Sequence, residues 1–133
     1  NLTRKLSFYE GELMDFYKFN KEAGKKVTHF NSVFIMSRIV TTDRPAQIGF
    51  MHLEENGIIG FHQAVVPQLL LIINGEGWVR GKEATKFFVK AGDAVFWEKG
   101  DWNEITTEKG LMAFVIESEQ LMPSLLKLQD KKK

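Results

Sequence analysis

The chain has 133 residues, which fits one domain and is long enough to bury a core without covalent staples. It contains no cysteine, which excludes a disulfide scaffold and a thiolate metal site, and its formal net charge of +1 gives no electrostatic case for nucleic acid. No apolar run is long enough to span a bilayer and no basic-then-apolar leader opens the chain, so a soluble cytoplasmic protein with no membrane partner is expected.

Residues 1–13 show no clean period, whereas Met14 opens a well-formed Met-Asp-Phe-Tyr-Lys-Phe run. The first 13 residues are read as a leader or an N-terminal arm, and residues 14–133 as one domain. Residues 15–26 are polar and read as an extended approach and a loop. From Val27 to Val40 the chain alternates, with Val33, Ile35, Ser37 and Ile39 on one face of a predicted strand. Thr41 to Pro45 reads as a turn, and Gln47 to Glu54 as a second strand closed by Asn56-Gly57.

The segment from Gly57 to Gly77 is the centre of the chain. It holds His62, then the apolar run from Leu69 to Ile73, then Asn74-Gly75. An apolar run of that length bounded by turn residues predicts a strand buried on both faces. Asn-Gly predicts a sharp hairpin, because both residues tolerate positive φ. Further strands are predicted at 78–80, 86–90, 94–97, 102–107 and 111–117, with glycine-bearing turns between them. Leu121, Leu125, Leu126 and Leu128 around Pro123 predict a short C-terminal helix. Lys131 to Lys133 read as a solvated tail. Short strands at even spacing, with 11 phenylalanines and three tryptophans, predict an all-β sandwich or small barrel.

Two motifs sharpen this. Gly57, His62, Ala64, Gln68 and Gly75 stand at the spacing of one, from His62 onward; Gly92, Glu98, Gly100, Asn103 and Thr107 stand at the spacing of a second. Over roughly residues 45–117 the chain resembles the cupins, small jelly-roll (double-stranded β-helix) barrels. That resemblance implies an inward-facing divalent metal held by three His and one Glu. Carried over by position, those places are His62, Ala64, Gln68 and Asn103. Only one imidazole is kept, Ala64 has no donor, and the two amides are neutral. Neutral amide oxygens are poor ligands for transition ions, and the missing carboxylate removes the offsetting charge. A weakly bound divalent metal on His62, Gln68 and Asn103 is the most these residues predict; no other cofactor is expected. His52 and His29 are poorer candidates. Glu98 replaces a proline of the motif, and Glu104 should face outward.

Alternation places Ala64 with His62, Gln68 with Leu70 and Ile72, and Asn103 with Ile105 on inner faces. Trp78, Phe96, Trp97 and Trp102 compete to line the cavity or cover the outside. The candidate ligand-binding set is His62, Ala64, Gln68, Leu70, Trp102, Asn103 and Ile105. Three functions are carried forward: a barrel binding a small organic molecule, a metal-dependent enzyme of oxygenase or isomerase type using His62 with Gln68 or Asn103, and a scaffold that works through partners. The resemblance also implies pairing through an outer sheet, so a homodimer is expected.

Overall fold

The computed structural model describes residues 14–127. Strand β1 (Asp15–Lys18) enters the barrel. It is followed by a small hairpin, β2 (Lys25–Val27) and β3 (Phe34–Met36), and by the short β4 (Val40–Thr41). The barrel proper is β5 (Ala46–Leu53), β6 (Ile58–Gln63), β7 (Gln68–Arg80), β8 (Phe87–Lys90), β9 (Asp93–Trp97), β10 (Trp102–Thr106) and β11 (Leu111–Ser118). Two short pieces close it, β12 (Met122–Pro123) and β13 (Leu126–Lys127). All pairings among the described strands are antiparallel.

One strand joins the two walls of the barrel. The first part of β7, Gln68 to Gly75, pairs with β11 and β9; its second part, Glu76 to Val79, pairs with β8, and Trp78 to Arg80 with β10. Asn74-Gly75 is therefore not a hairpin, and the predicted reversal is corrected to a bend inside one long strand. Gly75 takes φ +86°, the ladder to β11 slips beside it, and an added Cβ would sit 2.2 Å from the Gly110 oxygen. Only glycine fits that approach, which lets β7 leave one sheet for the other. True reversals are built elsewhere. Asn56 takes φ +63° in the β5–β6 turn. Gly92 takes φ +97° between β8 and β9, where the Asp93 carboxylate accepts from the Lys90 amide at 3.1 Å.

Strand alternation sorts the apolar side chains into two clusters. Leu70, Ile72, Val79, Val89, Val95, Trp97, Ile105, Leu111 and Ala113 fill the barrel, with Met51, Leu53, Ile59 and Val115 packed against them. Leu69, Leu71, Ala94 and Phe96 point the other way and are covered by Tyr17, Phe19, Ile39, Val40, Leu121 and Leu125. The run from Leu69 to Ile72 is thus buried on both faces, as its composition predicted.

The C-terminal helix is corrected. Met122 and Pro123 pair with Thr41 and Val40, the Ser124 amide donates to the Ile39 carbonyl at 2.9 Å, and Leu126 and Lys127 pair with β1. Leu121 and Leu125 are spaced for a helix, but the backbone next to each finds strand partners while their side chains cover the second cluster. Pro123, which has no N–H to give, sits on a two-residue edge where that costs little. The predicted strand over 27–40 is likewise broken. Only residues 34–36 pair with β2, and Phe30 and Asn31 take left-handed angles in a 3₁₀ turn between them. The proposed leader at residues 1–13 and the lysine tail lie outside the described residues.

Candidate functional site

The polar residues of the interior collect at one end of the barrel. The starts of β5, β7 and β10 and the ends of β6, β9 and β11 meet there. Register defines one rank across the inner face: Gln47 opposite Glu117, Glu117 opposite Gln68, Gln68 opposite Trp97. The Gln68 amide nitrogen donates to the Glu117 carboxylate. His62 pairs with Asn103 across β6 and β10. The other end is closed by apolar side chains and by the Thr107 hydroxyl, which donates to the Glu76 carbonyl at 2.7 Å and accepts from the Gly110 amide at 2.9 Å.

Two donors at the polar end have nothing to donate to among the described residues. Asn103 and Trp97 are each only 1% exposed, and Asn103 Nδ2 and Trp97 Nε1 find no hydrogen-bond partner there. A buried donor left unmet costs about 1–3 kcal/mol, so such groups point to an acceptor supplied from outside the chain.

The residues singled out from the sequence fall into three groups. Gln68, Asn103 and Ala64 are brought to this end; Ala64 is buried and its amide donates to the Asp101 carbonyl at 2.9 Å. His62 shares a register with Asn103 but is exposed, and its Nδ1 lies 2.7 Å from the Gly60 carbonyl. Between this pair and the next β6 carries a bulge, two residues, Gly60 and Phe61, standing opposite the single Glu104 of β10. Leu70 and Ile105 are buried in the packed apolar core rather than lining an open chamber.

Trp102 goes to the outside. Its ring stacks on Phe61 at 4.7 Å, Arg80 lies over the other ring at 4.3 Å, and Arg80 Nε donates to Glu104 Oε1 at 2.8 Å. Its place in the ligand-lining set is therefore corrected, and Glu104 does face outward. Trp78 lies on that same outer face against Phe88, Phe96 belongs to the outer cluster, and Trp97 alone of these aromatics belongs to the interior. His52 stacks on Phe50 outside the barrel, since Met51 and Leu53 take the inner positions. Glu117 was not found from the sequence. The only signal was its place six residues into an alternating strand, on the same face as Ala113 and Val115.

These residues do not fit a transition-metal centre. Among the described residues no group of three His, Asp or Glu side chains stands ready to hold an ion. The Gln68 amide is already engaged by a carboxylate, and Asn103 presents a nitrogen that cannot ligate.

Comparison with solved structures fits the architecture. A cupin superfamily protein from Desulfitobacterium hafniense is 16% identical, with a TM-score of 0.53, covering 60% of this chain and 72% of that one. A cupin-2 domain protein from Shewanella frigidimarina covers 89% of this chain and 92% of that one at 14% identity, with a TM-score of 0.50. The chain has the cupin fold. Drosophila melanogaster CENP-C, solved bound to CAL1, is also similar at 24% identity, covering 59% of this chain and 69% of that one with a TM-score of 0.48. No protein-family model matches the sequence, and no curated protein does.

Proposed function

We propose that this cupin barrel is a pairing module that joins two copies of its own chain through the outer face of β5 and β11. One observation carries this reading. The second apolar cluster reaches Ile116 on β11, and beyond it Ile48, Phe50 and Phe114 stand exposed on β5 and β11. Ile48 is 66% exposed, and Phe50 and Phe114 are stacked edge to face at 4.7 Å. The matching rows, Ile48 with Ile116, Phe50 with Phe114 and His52 with Met112, contain no carboxylate, lysine or arginine. A patch without fixed charge meets its own two-fold copy with no like-charge repulsion, so it is self-complementary. Among the described residues strand β5 is also an edge strand, paired only to β11. Light scattering over a concentration series tests this. A dimer that becomes a folded monomer in Phe50→Glu/Phe114→Glu supports the reading; a wild-type monomer, or a double variant that stays dimeric, removes it.

A second reading rests on a different observation, the two unmet donors at the polar end. A small organic molecule with an acceptor oxygen would satisfy Trp97 Nε1 and Asn103 Nδ2, with Gln68 and Glu117 beside it and His62 at the rim. This needs no metal and no reaction. The indole N–H resonance of Trp97, titrated against a panel of small carbonyl compounds, tests it; saturable movement supports the reading, and a resonance indifferent to all of them removes it.

A further inference from the structure

A groove of about 640 Å³ lies between the segment that follows β1 and the β2–β3 hairpin. Phe19, Val33, Phe34 and Ile35 line it, and Lys21 and Lys26 stand at it. Among the described residues the hairpin pairs with no other strand, and Phe30 is 98% exposed and Val33 89%. Two strands alone are marginally stable in water, so a hairpin like this gains from something laid against it. The surroundings are cationic. Residues 18–38 hold four lysines and one arginine against a single glutamate, in a chain whose net charge is only +1.

We infer that the groove takes an extended acidic segment of a partner protein, one that alternates carboxylate and apolar side chains. Strand β3 lines the groove and among the described residues is bonded in ladder fashion only to β2, so its other edge offers amides and carbonyls to an added strand. Alternate side chains of that strand then divide the work. Carboxylates on one face meet Lys26, which stands opposite Ile35 across β2 and β3, and apolar side chains on the other face pack on Phe34. A second copy of this chain is the poorer occupant. Its own hairpin would bring cations to cations, and its β5–β11 face carries no carboxylate to meet the lysines. The groove is separate from the pairing face, so neither assignment depends on the other.

The test uses the whole chain and two fluorescein-labelled synthetic peptides. One reads Glu-Val-Asp-Leu-Glu-Phe-Asp-Val; its twin has lysine at the four acidic positions. Anisotropy should saturate with the acidic peptide and not with the twin. The affinity should weaken about tenfold in Lys21→Glu/Lys26→Glu, whose circular dichroism should match the parent, and should fall as salt rises. No saturable binding, equal affinity in the charge-reversed variant, or equal binding of the lysine twin would overturn the inference. So would conversion of a dimer to monomer by Phe30→Ser/Val33→Ser, because a second copy would then be the occupant.

Discussion

Gln68 and Glu117 face each other across β7 and β11, and the amide of one donates to the carboxylate of the other. The carboxylate of this barrel end therefore sits one strand away from the place where the cupin pattern has it. Restoring that pattern without removing Glu117 sets two like charges directly opposite. Gln68→Glu should cost about 1 kcal/mol at neutral pH, the usual scale for opposed like charges on neighbouring strands. The paired carboxyls would hold a proton more tightly folded than unfolded, so the lost stability should return as pH falls. Thermal melts of parent and variant at pH 5 and pH 8 check this; an equal deficit at both would contradict it.

The metal positions give a second prediction. Asn103→His puts an imidazole directly opposite His62, and Gln68→Glu adds a carboxylate on the inner face. The double variant should bind Ni²⁺ saturably by calorimetry, and His62→Ala in that background should abolish it. Binding that survives loss of His62 would mean that the β6–β10 register does not bring these positions together.

Asn103 itself should show a trade between stability and binding. Its amide is buried with an unmet donor, so Asn103→Leu should raise stability by about 1 kcal/mol in denaturant titrations without added ligand. The same substitution should eliminate any ligand response seen at the Trp97 indole. A variant less stable than the parent would show that the amide is already satisfied.

The glycines separate steric need from conformational need. Gly75→Ala meets the Gly110 oxygen at 2.2 Å with φ at +86°, so it should cost more than about 2 kcal/mol. Gly100→Ala has open space but a φ of +90°, and should cost about 1 kcal/mol. Gly60→Ala has open space, and should fall within about 0.5 kcal/mol of the parent. Denaturant midpoints for the three give the order; equal values would contradict it.

The strands of the barrel were legible because their patterns are local: the unbroken apolar run from Leu69 to Ile72 marks a strand buried on both faces, and the alternation of Asn103 and Ile105 marks an inner face. What failed was anything decided by a distant partner. Asn74-Gly75 carries a reversal signal, yet β11 and β8 hold both sides of it in one strand. Leu121 and Leu125 have helical spacing, yet β4 and β1 supply strand partners. The spacing from His62 to Gln68 placed Ala64 and Gln68 at the polar end, but neither the exposure of His62 nor the arrival of Glu117 from β11 is written in that stretch. Trp102 and Trp97 look alike in sequence, and only the phase of each strand sends one out and the other in.

Self-pairing is the central claim, and a cysteine-free chain makes it directly measurable. Single substitutions Ile48→Cys, Phe50→Cys and Phe114→Cys should give covalent dimers under mild oxidation at low protein concentration, with at least one position near the two-fold axis reacting almost completely. Phe88→Cys, on the opposite outer face, should stay monomeric on a denaturing gel. Cross-linking at Phe88 with none at the other three positions would contradict the account.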